Sequence, residues 1–152
     1  MLDLGNSVML HEKLSYQQLQ TFVQDYFEAV ANKDLVTVMS FYANDATFIV
    51  HTAANGGDPL EWGKLVVFKN KMEIHKLYEQ FFHDIKDTKI CRAEHITIDE
   101  AQQRVATEQR YVAYNYAGEL ISLYNCNFFN FNVHGQLCRI MNWSANEPYF
   151  QE

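Results

Sequence analysis

Apolar residues in the first part of the chain recur at intervals of three and four, the spacing of an amphipathic helix. The first such run extends from Leu19 to Ala31. It is preceded by Ser15, with Gln18 three residues later, which is a capping-box start. The pattern breaks at Asn32-Lys33-Asp34 and resumes for a few residues. The sequence therefore begins with a predicted hairpin of one long and one short helix.

Segments typical of strands dominate the rest of the chain. Residues 46–52 are β-branched and aromatic, which predicts a first strand, and helical spacing returns over about 71–85 after a glycine- and proline-containing loop. Beyond Asp87, short connections separate four further strand segments, 88–99, 104–116, 120–133 and 136–145. The order α-α-β-α-β-β-β-β predicts an α+β domain in which three helices cover one face of a curved, mostly antiparallel sheet.

The last predicted hairpin has two different faces. A two-residue turn at His134-Gly135 would place Asn127 opposite Asn142, and residues directly opposite each other share a face. The face beneath the helices then carries these two amides, Asn125 and Phe129. Because unsatisfied buried amides cost free energy, we expect the amides to line a cavity. The opposite face predicts a homodimer, since it carries the mainly apolar set Cys126, Phe128, Met141 and Trp143.

Length, composition and charge narrow the functional classes. The 152 residues, 48% of them hydrophobic, suit one folded domain, and we expect residues 1–14 to be an N-terminal extension and 15–152 to be that domain. The 19 acidic residues outnumber the 12 basic ones, and the net charge of −7 argues against nucleic acid as a partner. No apolar run approaches the roughly 20 residues that span a bilayer, and the acidic beginning of the chain differs from a signal peptide. We therefore expect a soluble, cytoplasmic protein without a membrane partner.

The sequence also contains no motif for a metal or a nucleotide cofactor. Its three cysteines, Cys91, Cys126 and Cys138, form no C-x-x-C pair and are predicted to be reduced thiols. None of the six histidines belongs to an H-x-x-x-H or H-E-x-x-H pattern, and no glycine-rich phosphate loop is present. We therefore expect neither a bound metal nor a cofactor.

A characteristic succession of motifs extends from the first helix to the first strand. It consists of Phe22-Val23-Gln24-Asp25-Tyr26-Phe27, the break Asn32-Lys33-Asp34 and the strand entry Tyr42-Ala43-Asn44-Asp45-Ala46-Thr47. With the late hairpin Phe129-Asn130-Phe131-Asn132-x-x-Gly135, this succession resembles the nuclear transport factor 2-like superfamily, in particular ketosteroid isomerases and SnoaL-type polyketide cyclases. The resemblance implies a cone-shaped fold, one that hosts isomerases, cyclases, dehydratases, epoxide hydrolases and proteins without enzymatic activity.

The resemblance to ketosteroid isomerases implies roles for individual residues. Tyr26 lies at the position of the tyrosine that donates a hydrogen bond to the developing enolate oxygen. Asn127 replaces the protonated acid that assists this tyrosine, and Val50 replaces the carboxylate base at the end of the first strand. Tyr26 and Asn127 are therefore predicted to stabilise an oxyanion. His51 would shuttle the proton if a strand-end bulge turned it inward, whereas regular alternation would make it a rim or surface histidine.

Further ligand contacts are predicted on the strands and in the loop after the first strand. Phe48 and Val50 face the cavity by alternation. Trp62 is predicted to be a lid over the cavity or an ordinary loop anchor. Glu108 and Arg110 would orient a polar substrate at the cavity mouth or form a surface pair of little energetic consequence. The predicted ligand-binding set is Phe48, Val50, Trp62, Glu108, Arg110, Asn125, Phe129 and Asn142.

Two hypotheses of function follow. In the first, the domain binds a small apolar or carbonyl-containing ligand and acts as a cofactor-independent isomerase, cyclase or dehydratase on a cyclic or polyketide-like carbonyl compound. In the second, it is a non-catalytic ligand-binding or protein-interaction module of the same fold. The missing carboxylate base favours the second hypothesis. A cavity with His51 pointing into it would favour the first.

Overall fold

The computed structural model describes residues 12–52 and 65–146, which form three helices and six strands. The helices are α1 (Tyr16–Ala31), α2 (Leu35–Ser40) and α3 (Lys71–Asp84). The strands are β1 (Tyr42–Thr52), β2 (Leu65–Lys69), β3 (Ile85–Asp99), β4 (Arg104–Asn115), β5 (Leu120–Phe131) and β6 (Leu137–Asn146). The α+β class and the helices on a curved, mostly antiparallel sheet are confirmed.

Capping interactions fix the beginning of the first two helices. The Ser15 side chain accepts a hydrogen bond from the Gln18 backbone at 3.2 Å, and Gln18 Oε1 accepts from the Ser15 backbone at 2.8 Å. The capping box predicted from the sequence is therefore present. Asp34 caps α2 by accepting from the Thr37 backbone at 3.0 Å. The break between the two predicted helices thus provides the N-cap of the second one.

The six strands form one sheet in the order β2-β1-β6-β5-β4-β3, in which only the β1–β6 pair is parallel. Strand β2 is absent from the order predicted from the sequence. It is a short edge strand that pairs with β1, and its exposed Val66 and Val67 give no alternation of buried and exposed positions. The predicted pairing of the last hairpin is confirmed, since Asn127 lies opposite Asn142 and Cys126 opposite Trp143. The predicted two-residue turn is wrong, because the Asn132 N–H donates to the Gln136 carbonyl across a three-residue loop, and a register shift between Asn130 and Phe131 restores the pairing.

The two faces of the sheet have different surroundings. The inner face carries α1 and α3, and an aromatic cluster fills the space between the layers. Phe22 lies at its centre, with its ring centroid 5.4 Å from that of Phe129 and 4.8 Å from that of Phe131. The outer face is only partly covered, and Phe128 and Trp143 are 46% and 37% exposed there. Packing against the helices is thus confined to one face.

Residues 12–14 belong to the predicted N-terminal extension, and Leu14 is attached to the domain. Its backbone N–H donates to Gln103 Oε1, and its carbonyl accepts from Gln103 Nε2, both at 2.8 Å. Gln103 is buried in the connection between β3 and β4. In the described ranges, no helix has both the length and the apolar character needed to cross a bilayer.

Candidate functional site

A cavity of about 180 Å³ lies between the helices and the inner face of the sheet. Side chains of α1 and α3 form one wall, which is apolar except for two tyrosine hydroxyls. The sheet forms the other wall, which is mostly polar. The helix wall consists of Tyr26, Phe27, Val30, Leu77, Tyr78 and Phe81, and the sheet wall of Phe48, Val50, Gln109, Tyr111, Leu123, Asn125, Asn127, Asn142 and Ser144.

Three tyrosine hydroxyls meet at the helix wall and form what we call the tyrosine cluster, Tyr26, Tyr42 and Tyr78. The Tyr26 hydroxyl is 2.9 Å from that of Tyr42 and in close hydrogen-bond contact with that of Tyr78. The Tyr42 and Tyr78 hydroxyls are 3.4 Å apart. Burial raises the pKa of Tyr26 and of Tyr42 well above the usual value, and that of Tyr78 to about 12. The cluster is therefore neutral and protonated at physiological pH.

Helix periodicity and strand position bring these hydroxyls together. Tyr26 follows Phe22 by one turn on the buried side of α1, and Tyr78 lies between Ile74 and Phe82 on the buried side of α3. Tyr42 is the first residue of β1 and does not line the cavity. The three hydroxyls carry one proton each, and three contacts join them, of which the Tyr42–Tyr78 contact is the longest at 3.4 Å. If Tyr42 and Tyr78 both donate to Tyr26, the Tyr26 proton is available to an oxygen in the cavity.

A ladder of polar side chains, the amide ladder, crosses the sheet wall. It comprises Gln109 on β4, Asn125 and Asn127 on β5, and Asn142 and Ser144 on β6. Asn125 Nδ2 and Asn127 Nδ2 donate to Gln109 Oε1 at 3.1 and 3.2 Å. Asn142 Nδ2 donates to Asn127 Oδ1 at 2.7 Å. The Ser144 hydroxyl lies 2.5 Å from Asn125 Oδ1 and 2.9 Å from Asn142 Oδ1.

Asn127 is fully engaged within this ladder. Besides its bond to Gln109, its Nδ2 donates to Thr107 Oγ1 at 3.3 Å, so both amide hydrogens have acceptors. The structure brings Asn127 and Tyr26 to the same cavity, as the sequence predicted. It gives them separate hydrogen-bonding partners, however, and Asn127 has no further hydrogen to share with Tyr26 on one ligand oxygen.

The described walls of the cavity carry no charged side chain at neutral pH. Burial raises the pKa of Tyr111 to about 12, and it also raises the pKa of Cys91, which accepts a hydrogen bond from Gln109 Nε2 at 3.3 Å, to about 12. Carboxylates and imidazoles are absent from the wall residues given above. Within the ranges 12–52 and 65–146, no group of three or more His, Cys, Asp or Glu residues is arranged to hold a metal ion. The described part of the site thus offers donors and acceptors but no base.

His51 does not reach the cavity. Strand β1 pairs continuously with β6 from Thr47 to Thr52, so no bulge interrupts the alternation at that end. Val50 therefore lines the cavity, and His51 points to the outer face, where its ring stacks on Trp143 with centroids 4.3 Å apart and planes 13° apart. The hypothesis that His51 is the proton shuttle within the cavity is corrected by this placement.

The other predicted ligand contacts divide between the two faces. Phe48, Val50, Asn125 and Asn142 line the cavity as predicted. Glu108 lies outside, because it pairs with Cys126 on the outer face and accepts a hydrogen bond from the Tyr124 hydroxyl at 2.5 Å. Arg110, two residues further along β4, shares that outer face.

Two predicted contacts do not belong to the described cavity wall. Phe129 is absent from the wall because its ring is buried in the core, with its centroid 5.4 Å from that of Tyr26. Trp62 lies outside the described residues. Tyr42, Tyr78 and Gln109 were not among the predicted site residues. The helical spacing of α3 places Tyr78 on a buried face, and alternation along β4 does the same for Gln109. The meeting of the Tyr26, Tyr42 and Tyr78 hydroxyls depends on the tertiary packing of α1, α3 and β1.

Comparison with known proteins identifies the family of this chain. A family model described as the SnoaL-like domain matches residues 23–140. Comparison with the sequences of curated proteins gives no significant match.

Several solved structures share the fold at low sequence identity. A protein from Bacillus subtilis aligns with a TM-score of 0.70 and 11% identity, covering 86% of this chain and 88% of that one. SalBIII, an epoxide hydrolase/cyclase-like enzyme in pyran ring formation in the polyether salinomycin, aligns with a TM-score of 0.65 and 13% identity over 85% and 92% of the chains. The BvnE pinacolase of Penicillium brevicompactum aligns with a TM-score of 0.61 and 12% identity over 85% and 84%. The chain belongs to the SnoaL-like domain family, within the nuclear transport factor 2-like superfamily.

Proposed function

We propose that the cavity binds a small, neutral ring compound with a carbonyl oxygen, and that the protein is a cofactor-free isomerase or cyclase acting on it. The observation that carries the proposal is the tyrosine cluster, in which Tyr42 and Tyr78 can both donate to Tyr26 and leave the Tyr26 proton for a ligand at an otherwise apolar wall. A carbonyl oxygen accepts such a proton, and the apolar side chains around it suit the carbon skeleton of a ring.

The size and neutrality of the cavity support a compact, uncharged ligand. An engineered protein cavity of roughly 150 Å³ binds benzene, so the cavity of about 180 Å³ suits one ring with small substituents. Burial raises the pKa of Tyr26, Tyr78 and Tyr111, which means that this environment disfavours negative charge. A neutral compound therefore enters at a lower desolvation cost than an anion.

Hydrogen-bond donation by Tyr26 would accelerate enolisation. When a hydrogen leaves the carbon next to a carbonyl, negative charge develops on the carbonyl oxygen. Tyr26 is placed to stabilise this charge, because Tyr42 and Tyr78 hold its hydroxyl in a fixed position. Since the described wall has no base, the proton would pass to solvent or to a basic group of the substrate itself. Removing one preorganised donor of this kind commonly lowers the rate about 10²- to 10³-fold.

The reactions of the structural neighbours agree with this class of chemistry. SalBIII is described as taking part in pyran ring formation, and BvnE is described as a pinacolase. At identities of 13% and 12%, these likenesses show the fold. The proposal for this chain therefore rests on its own tyrosine cluster.

The test is hydrogen–deuterium exchange at the carbons beside the carbonyl of cyclohexanone in D₂O, followed by NMR. We expect the protein to accelerate the exchange and Tyr26→Phe to reduce the acceleration by about 10²-fold. Tyr16→Phe is the matched control, because Tyr16 lies on the same helix but is 52% exposed. Equal exchange rates with the parent and Tyr26→Phe would contradict the proposed role of the cluster.

A non-catalytic ligand-binding domain is the second candidate. It is favoured by one specific observation, namely that no carboxylate or imidazole is among the described residues of the cavity wall. Binding of cyclohexanone, detected by saturation-transfer NMR, without any acceleration of exchange would support this candidate over the isomerase. A protein-interaction module would show neither ligand binding nor exchange.

We further propose that the outer face pairs with a second copy of the chain. Phe128, Met141 and Trp143 form an apolar patch there, and Arg104 and Arg139 lie in one row across the strands at one end of it. Phe128 and Trp143 stay 46% and 37% exposed on this face, which α1 and α3 do not cover. Burial of this apolar patch against a second copy supports a homodimer through that face.

A further inference from the structure

At its Ser144 end, the amide ladder has two amide oxygens but only one hydroxyl proton to donate to them. The oxygens Asn125 Oδ1 and Asn142 Oδ1 each have the Ser144 hydroxyl as their hydrogen-bond donor, at 2.5 and 2.9 Å. A serine hydroxyl carries a single proton and makes one good hydrogen bond as a donor. One of the two amide oxygens is therefore left for a donor that the ladder does not provide.

The surrounding groups do not supply this proton. Asn127 Nδ2 uses its two hydrogens on Gln109 Oε1 and Thr107 Oγ1. Asn142 Nδ2 donates to Asn127 Oδ1 at 2.7 Å. Both Asn125 and Asn142 line the cavity, so a group inside the cavity can reach their oxygens.

We infer that the ligand of the cavity carries a hydroxyl group that donates to this amide oxygen beside Ser144. The inference rests on the proposed function, because it assigns the substrate class of the same cavity. The two walls then recognise different groups: the tyrosine cluster donates to a carbonyl oxygen, and the amide ladder accepts from a hydroxyl. A cyclic hydroxyketone combines both groups and an apolar ring in a volume that the cavity accommodates.

A hydroxyl suits the ladder better than a second carbonyl does. Asn125 Nδ2 and Asn142 Nδ2 each have one hydrogen beyond the bond they make within the ladder, and an oxygen of either kind can accept it. Only a hydroxyl also donates a proton to the unpaired amide oxygen. A buried acceptor left without a donor weakens binding, so we expect a difference of about tenfold in affinity between the two ligands.

The experiment compares 4-hydroxycyclohexanone with 1,4-cyclohexanedione, which has the same ring and first carbonyl but no donor on its second oxygen. Dissociation constants are measured by NMR titration, with cyclohexanone as the reference compound. The inference predicts that the hydroxyketone binds about tenfold more tightly than the dione. Equal affinities of the two would overturn the inference and leave the proposed function intact, provided that cyclohexanone binds. Failure of all three compounds to bind would overturn the proposed function and this inference with it.

Ser144→Ala tests the direction of the hydrogen bonds. In this variant neither amide oxygen has the serine proton, so the preference for the hydroxyketone should persist or increase. If Ser144 instead donated its proton to the ligand, the parent would prefer the dione, and Ser144→Ala would remove that preference. This second result would overturn the inference. The parent comparison needs no substitution and therefore stands even if Ser144→Ala folds poorly.

Discussion

Replacing Tyr78 by phenylalanine should change how the stability of the protein depends on pH in the alkaline range. Burial raises the pKa of Tyr78 from 10.0 to about 12, and this side chain is only 7% exposed in the folded state. In the unfolded chain the phenol ionises near pH 10, whereas in the folded protein it keeps its proton to a higher pH. The neutral phenol therefore stabilises the fold fully below pH 10, and this contribution is lost as the pH rises from 10 towards 12.

The size of the effect follows from the two pKa values. Between pH 9 and pH 11, a group with a pKa of 10 in the unfolded chain and about 12 in the folded protein lowers the free energy of unfolding by about 1.3 kcal/mol. Tyr78→Phe removes this proton from both states, so the variant should lose about 1.3 kcal/mol less than the parent over that interval. Urea unfolding monitored by circular dichroism at pH 9, 10 and 11 measures the difference.

The control is Tyr16→Phe, because Tyr16 is on the surface of α1. Its curve should run parallel to that of the parent. If the Tyr78→Phe curve also ran parallel to the parent, Tyr78 would ionise equally in both states. The tyrosine cluster would then not be held in its protonated form by burial, and the proposed function would lose its hydrogen-bond donor.

The remaining predictions concern the two faces of the sheet. Trp143→Glu should convert a dimer into monomers in sedimentation velocity, because it places a charge in the outer apolar patch, whereas Val133→Glu, at a 61% exposed turn position, should leave the dimer intact. An unchanged dimer in Trp143→Glu would refute the proposed interface. His51→Ala should leave cyclohexanone exchange unchanged, since His51 stacks on Trp143 on the outer face; a rate reduced tenfold or more would restore it as the base. Asn127→Leu should lower the free energy of unfolding by about 1–3 kcal/mol, since it removes the acceptor of Asn142 Nδ2, the donor to Thr107 Oγ1 and one of the two donors to Gln109 Oε1. Thermal unfolding without destabilisation would contradict this engaged role of Asn127.

Periodicity predicted most of the fold because it depends on which face of an element is buried. The spacing of apolar residues in α1 and α3 corresponds to the side of each helix that packs on the sheet. The faces of the last hairpin were predicted correctly because the turn is short, although the loop spans residues 133–135 and a register shift between Asn130 and Phe131 compensates for its third residue. These features are local, and a single sequence contains them.

The parts that the sequence did not predict depend on contacts between distant segments. Strand β2 forms because its backbone pairs with β1, and its exposed side chains carry no pattern of burial. The first strand was predicted over residues 46–52, after Asn44-Asp45, whose residue types favour turns. The structure begins β1 at Tyr42 instead, and β1 changes register with β6 between Tyr42 and Thr47. That irregularity leaves Tyr42 in the strand and in reach of Tyr26, so the tyrosine cluster depends on a feature that turn propensity alone would place outside the sheet.

Alternation along the strands also explains why the described cavity wall is neutral. On β4, Glu108 and Arg110 face outward while Gln109 and Tyr111 line the cavity, and on β1, His51 faces outward while Val50 lines it. Because side chains alternate with a period of two, each charged or titratable group adjacent to a wall residue is directed to the opposite face. Catalysis within the described wall is therefore restricted to hydrogen bonds from phenols, amides and Ser144. Such a site suits a substrate in which a hydrogen bond to the carbonyl oxygen makes the C–H next to the carbonyl more acidic. The neutral wall is therefore compatible with the proposed enolisation.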